Sequence, residues 1–302
     1  MSDLAKTATT VRADTVALTA TAGPGRPPAN RAPRRQVAAS TASHLLLAVI
    51  GLAFVLPMLW LLFAAFDAKA SWGIEWPHLT LENFAATLHS TELQALANSL
   101  ILSMVATAVA TACALPSAYA LSRRRIPFKG PILLGVLFLT GVPLAILIIP
   151  VYQMFAEIGW LSILPAGLFL AVTSLPFEIF LIKNFIDAVP QDLEEAARLE
   201  RATTWQVLSR VVLPLATPGI CAAAIFGFVN AWGSFIVPLI LITAAGQQVG
   251  PIAIYNFVNG YEIHYGEIAA FSVVFALPVV ILYGFASRFF REGFVLGGAV
   301  KG

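Results

Sequence analysis

Residues 44–66 read HLLLAVIGLAFVLPMLWLLFAAF. No Asp, Glu, Lys or Arg interrupts them. At 1.5 Å rise per residue, a run of about 20 apolar residues spans the roughly 30 Å hydrocarbon core of a bilayer. The stretch therefore reads as a membrane-spanning helix. Outward from it, comparable runs recur at Leu96–Leu121, Pro131–Phe155, Ile163–Phe185, Val211–Leu241 and Ile268–Phe290. The fifth run is long enough to tilt, or to break near Pro238. Transmembrane strands would show short segments of strict alternation instead, and none occurs. The expected fold is all-α: a polytopic membrane protein with six transmembrane helices. Composition agrees, with 59% hydrophobic and 11% charged residues against roughly 25% charged in soluble domains. A water-facing surface over the whole chain is excluded.

Residues 1–43 are rich in Ala, Thr, Pro and Arg and are expected to be a disordered tail. The tail is too long and too polar for a conventional signal peptide, so the first run reads as an uncleaved span. An organelle transit peptide is the alternative, because the tail bears Arg and few acids. Residues 44–302 form the membrane domain. Cys113 and Cys221 lie inside apolar runs and read as small hydrophobes. His44, His78, His89 and His264 show no ligand spacing, so no metal site is expected.

Charge sets the orientation. All 18 Lys and Arg except Lys69 fall in the N-terminal tail, the second-to-third loop (Arg123, Arg124, Arg125, Lys129), the fourth-to-fifth loop (Lys183, Arg198, Arg201, Arg210) and the C-terminal end. The opposite loops carry Asp67, Glu75, Glu82, Glu92, Glu157, Glu262 and Glu267. By the positive-inside rule both termini and the fourth-to-fifth loop are cytoplasmic. The localisation expected is a bacterial-type cell membrane, multi-pass.

The fourth-to-fifth loop, about residues 187–212, contains two short helices. Pro190 suits a first helical position, where its missing N–H costs nothing. Asp192, Glu194 and Glu195 complement the positive end of the helix dipole. Leu193, Ala196, Ala197 and Glu200 share a face that the paired alanines leave flat. Thr203 with Gln206 makes a capping-box pattern for the second helix. Trp205, Leu208 and Val212 then recur on one face, and Pro214 and Pro218 follow. Composition alone would allow an ordinary solvated connection.

The residues Glu195-Ala196-Ala197, then Ala202, Leu213-Pro214-Leu215 and Pro218, resemble the EAA loop of ABC-importer permeases. In that family the loop forms coupling helices that dock on the ATP-binding subunit. The resemblance implies coupling roles for Glu194, Glu195, Ala196, Ala197, Glu200, Arg201, Ala202, Trp205 and Pro214. Glu195 would be the electrostatic contact, either to a partner Arg or Lys or within the loop, and Trp205 is read as the anchor of the second helix in its own subunit, with a place on the docked surface as the alternative. The family usually has Asp-Gly where this chain has Glu200-Arg201. Arg201 must then accept a left-handed turn, or the first helix must end differently; its charge would pair with an acid on a motor subunit. No GxxxxGK[ST] stretch occurs, so ATP hydrolysis is not expected of this chain.

Other segments resemble the carbohydrate class, specifically the maltose-transporter MalG type of permease. They are Trp76-Pro77 with Leu81-Glu82-Asn83-Phe84, Asn98-Ser99-Leu100, Ile149-Pro150-Val151-Tyr152 with Gly159-Trp160-Leu161, and the ending Gly298-Ala299-Val300-Lys301-Gly302. In this family the tail (Ala299, Val300, Lys301, Gly302) reaches between the ATP-binding subunits. A frayed end is the plainer reading of the same residues. The resemblance implies a second, non-identical permease, two ATP-binding subunits that hold ATP and Mg, an external solute-binding protein and a sugar substrate. The chain itself needs no cofactor, contacts lipid and has no nucleic-acid partner.

Pathway candidates follow from polar residues inside spans. Glu178 is expected to face a cavity or partner, since an intramembrane carboxylate costs about 2.5–3.5 kcal/mol. It would bind sugar hydroxyls, pair with the other permease or reach the cytoplasmic end. Asn230, Trp232 and Ser234 suit a sugar by hydrogen bonds and an aromatic face, with helix packing as the alternative for Gly233 and Ser234. Tyr152, Gln153 and Asn98 complete the set. An importer of another solute, an intramembrane enzyme and a secondary transporter remain as competing readings.

Overall fold

A computed structural model describes residues 34–71, 78–258 and 263–299. Its helices are α1 (Arg34–Ala65), α2 (Glu82–Thr87), α3 (Ser90–Arg123), α4 (Lys129–Thr140), α5 (Leu144–Glu157), α6 (Ile163–Asp187), α7 (Gln191–Leu199), α8 (Thr204–Val207), α9 (Leu213–Trp232), α10 (Ile236–Leu241), α11 (Gly250–Val258) and α12 (Tyr265–Ala299). One π-helical turn, Leu208–Val212, joins α8 to α9. Among the described residues, five helical segments are long and apolar enough to cross a membrane, and the α4–α5 pair makes a sixth span if counted as one. The all-α polytopic fold is as expected.

The chain divides into two compact units, residues 1–57 and 58–302. In the first, the helix begins at Arg34, within the tail expected to be disordered to residue 43. Apolar side chains such as Leu45, Leu47, Val49 and Phe54 are exposed along it.

In the second unit, α3, α6 and α9 pack against one another. Their sequences explain how closely. Ala106, Ala110, Ala114 and Ala118 recur every four residues on α3 and are all buried, so one face of that helix carries almost no bulk. On α9, a Cβ at Gly219 would lie 2.1 Å from Phe185 Cγ of α6. On α6, a Cβ at Gly167 would lie 3.0 Å from Val105 Cγ1 of α3. Without a strong hydrophobic drive between helices in lipid, such small-residue contacts let dispersion hold the bundle.

The third expected span is bent, and the fifth is broken, one of the two outcomes its length allowed. The third bends by 85° between α4 and α5, where Gly141, Val142 and Pro143 interrupt the helix; a residue before proline is pushed out of the helical region. The fifth ends at Trp232 and resumes as α10. The break therefore lies at Gly233–Phe235, before Pro238, which sits buried inside α10.

The α10–α11 connection is tied back by side chains. Asn98 Nδ2 donates to Gly246 O (2.9 Å) and Gln248 O (2.8 Å), and the Gly250 N–H donates to Ser99 Oγ (2.8 Å). The Ile163 N–H at the start of α6 donates to Gln247 Oε1 (2.9 Å). Asn83 of α2 donates to Ala65 O and Asp67 O, closing the end of α1.

The Gly219 contact is the sharpest packing constraint. Gly219→Ala should lower the stability of the purified permease by about 1–3 kcal/mol through overpacking. Gly284→Ala, with nothing within 4 Å of the added carbon, should leave it within about 0.5 kcal/mol. Equal melting temperatures for the two variants would contradict this packing.

Candidate functional site

The two helices expected between the fourth and fifth spans are α7 and α8. Pro190 stands one position earlier than expected, as the N-cap of α7. The end of α7 is a Schellman motif. The Ala202 N–H donates to Ala197 O (3.1 Å) and the Arg201 N–H donates to Arg198 O (3.0 Å). That geometry requires a left-handed residue at Arg201, which has φ 60°. Ala197 and Ala202 close the motif and pack against the buried core.

The same motif ends α5, where the Trp160 N–H donates to Phe155 O and Gly159 takes φ 71°. Glycine adopts this conformation without strain, whereas an L-residue with a Cβ pays roughly 1–2 kcal/mol. Arg201 therefore accepts the turn that glycine would have made freely.

The α8 cap is as expected. The Gln206 N–H donates to Thr203 Oγ1 (3.3 Å), and the Thr203 N–H donates to Gln206 Oε1 (2.8 Å). The π turn after α8 fits Pro214. Proline supplies no N–H and its ring crowds the carbonyl four residues back, and a wider turn before it relieves that contact.

A buried ion pair holds the loop. Arg123 Nε at the end of α3 donates to Glu194 Oε1 at 2.5 Å, and the two side chains are 6% and 3% exposed. Arg123 Nη2 also donates to Ile186 O (2.9 Å) and Val189 O (2.7 Å) after α6. The Tyr119 hydroxyl donates to Glu194 Oε2 (3.2 Å), and Arg198 lies 3.5 Å from the same oxygen. One guanidinium thus joins α3, the end of α6 and α7.

This arrangement divides the candidate coupling residues. Glu194 faces inward, so it is a tether rather than a contact surface. Glu195, Ala196, Glu200 and Arg201 are exposed, while Ala197 and Ala202 are half-buried. The expected flat face therefore splits, with Ala197 turned toward the core. Trp205 is 70% exposed, which corrects its reading as an internal anchor; Val207, Leu208 and Val212 fill the core instead. Leu193 and Leu199 add exposed apolar surface. Sequence reasoning missed Tyr119 and Arg123. Arg123 looked like one of three adjacent topogenic arginines, and nothing local separates it from Arg124 and Arg125. The C-terminal candidates Val300, Lys301 and Gly302 lie outside the described residues, as do Trp76 and Pro77; of Ala299 only its place at the end of α12 is described.

Three pathway candidates are buried within this chain, so they do not face a passage along its surface. Glu178 is 0% exposed. Thr111 Oγ1 donates to its Oε2 at 2.9 Å, while among the described residues neither Oε1 nor Thr107 Oγ1 has a hydrogen-bond partner. A Cβ at Gly227 would lie 2.4 Å from Oε1. Glu178 is thus a packing element between α3 and α9. Trp232 is buried, donates from Nε1 to Phe275 O (3.0 Å) and stacks on Phe228 and Phe275. Asn98 is consumed by the α10–α11 connection. Tyr152, Gln153 and Asn230 are exposed and Ser234 is half-buried. Asn230 Nδ2 donates to Phe226 O on its own helix.

The second unit is thus a broken-helix membrane bundle with a helical loop lashed to one end. The chain belongs to the binding-protein-dependent transport system inner membrane component family, which it matches over residues 112–292. It is 30% identical over 261 residues to a diacetylchitobiose uptake system permease of Streptomyces coelicolor, covering 84% of this chain and 94% of that protein. It is 32% identical over 211 residues to a trehalose transport system permease of Mycobacterium tuberculosis, covering 69% and 77%. The fold matches a bacterial ABC transporter involved in import of the acidic polysaccharide alginate, with TM-score 0.70 and 19% identity over 85% of this chain and 98% of that one. The resemblance drawn from the EAA loop is borne out. The chain is a multi-pass bacterial membrane permease of the ABC-importer type.

Removing Arg123 would leave buried Glu194 with only the exposed Arg198 and the Tyr119 hydroxyl as partners, which costs up to about 3–5 kcal/mol. Arg123→Ala should therefore expose the loop to tryptic cleavage at Arg198 and Arg201, and Arg123→Ala with Glu194→Ala should restore part of the protection. Cleavage at the wild-type rate in the single variant would show the tether to be idle. Separately, Gly227→Ala should destabilise the bundle, and the penalty should shrink by at least about 1 kcal/mol in a Glu178→Ala background. Additive penalties would remove the Glu178–Gly227 contact from this account.

Proposed function

We propose that this chain passes a sugar across the membrane by alternating access, driven by ATP hydrolysis on partner subunits that receive its α7–α8 loop. The single observation that carries the reading is the Arg123–Glu194 tether, which makes the loop rigid with α3 and α6. A loop so held moves its spans when it is pushed, as rigid-body transmission requires. Its free face, with Leu193, Ala196, Leu199 and Trp205, supplies the apolar surface for the contact.

The partners proposed are a second, non-identical permease, two ATP-binding subunits and an external binding protein. The sugar assignment is supported by the diacetylchitobiose and trehalose permeases among the relatives, so disaccharides are the first class to test. Basic residues concentrate in the loops on the α7 side, which supports a cytoplasmic position for that loop and for both termini. Tyr152, Gln153, Asn230 and Ser234 are the pathway residues retained. A contact of the C-terminal residues 299–302 with the ATP-binding subunits belongs to the same proposal.

The test is the intact complex, purified in lipid with its ATP-binding subunits and binding protein and screened with sugars for ATPase stimulation. One or a few sugars should stimulate, and amino acids and polyamines should not. Stimulation by a non-sugar alone would overturn the substrate assignment. Trp205→Ala should keep the permease folded yet weaken coupling by about 10- to 100-fold, as an interface aromatic does; unchanged stimulation would remove Trp205 from the contact.

A further inference from the structure

Arg201 and Arg210 are exposed, and among the described residues neither makes an ion pair or a side-chain hydrogen bond. Both open on one cleft of about 400 Å³, walled by Ala197, Ala202 and Val211 and lined also by Glu200. Two guanidinium groups and one carboxylate that pairs with neither leave the concavity with net positive charge, which favours a further anion between the arginines. Guanidinium groups, with their planar fork of donors, bind carboxylates in a two-point geometry.

Backbone strain points the same way. Arg201 occupies φ 60°, a position that Gly159 fills without strain at the end of α5. A strained non-glycine residue is a reason to look for function. The surroundings identify the kind of partner. Leu199 is 85% exposed and Trp205 is 70% exposed beside the cleft, which is the mixture of apolar anchors and arginine found at protein interfaces. Asp192 and Glu195 are exposed on this loop outside the cleft. They would repel an anionic lipid surface while leaving a single carboxylate free to enter between the arginines.

We infer that the Arg201–Arg210 cleft is a socket for one carboxylate side chain of the ATP-binding subunit, and that it selects which such subunit the permease accepts. The inference rests on the docking role proposed for the α7–α8 loop and names the chemistry of that contact. Leu199 and Trp205 supply contact area, and the two guanidinia supply register and discrimination. A subunit with an uncharged or basic residue at the matching place would be rejected, because it would leave the cleft's positive charge unneutralised.

The experiment uses the full complex, co-purified through a tag on the permease at low and high salt, in neutral and in anionic lipid. Wild type should retain the ATP-binding subunit, with retention falling as salt rises. Arg201→Glu with Arg210→Glu should lower retention at least about tenfold, the scale of a lost charge pair, in both lipids. Reversing one acidic residue on the docking face of the ATP-binding subunit to Arg should restore it. The permease alone should keep its melting temperature, since both side chains are exposed, and Arg201→Gly should hold or raise it. Equal retention by wild type and the double variant at every salt concentration would overturn the socket while leaving loop docking intact. A loss seen only in anionic lipid would assign the cleft to a lipid headgroup instead. Failure of the wild type itself to retain the subunit would overturn loop docking and the socket with it.

Discussion

Arg123 sits almost out of contact with solvent, with Glu194 on one side of its guanidinium and two backbone carbonyls from the end of α6 on the other. A buried ion pair is not by itself a source of stability, because desolvation offsets the Coulomb attraction. What it provides is geometry. The guanidinium's fixed donor directions demand that α3, α6 and α7 keep one mutual placement. Loss of that placement leaves a charge stranded in the core. The loop is thereby part of the bundle, although its sequence reads as a polar connection between spans.

The rest of the second unit serves the same rigidity by different means. Alanines on α3 and glycines on α6 and α9 bring backbones close enough for dispersion to hold three helices together. Into this packing the chain places a carboxyl group, Glu178, with one oxygen bonded to Thr111 and the other left without a partner among the described residues. An unmade hydrogen bond inside a bilayer is expensive. Gly227 is the residue that gives the carboxyl group room, so the two positions are coupled by volume.

Strain is placed selectively. Where α5 ends, a glycine takes the left-handed turn; where α7 ends, an arginine takes it and carries its charge to the cleft beside Arg210. The hydrogen bonds of the two turns are alike, and only the side chain differs. The docking proposed for the α7–α8 loop would give a cation at that point a use.

Several elements were legible in the residues alone. Long uncharged runs specify spans because nothing but a helix satisfies the backbone inside lipid. The Thr203–Gln206 cap follows from neighbours within four residues, so local sequence carries it, whereas the left-handed turn at Arg201 was implied only by the family resemblance, with a different helix end as the alternative. Tertiary structure alone decided which polar residues face where. Glu178, Trp232 and Asn98 look like pathway residues in a list of polar groups within spans, yet each is consumed inside the bundle by a partner distant in sequence. Glu194 and Glu195 are adjacent and chemically alike, and one is buried while the other is exposed. Arg123 is one of three consecutive arginines until α3, α6 and α7 converge on it. Chain order records short-range geometry, whereas pairing across helices depends on the crossing of whole elements, and no residue states that by itself.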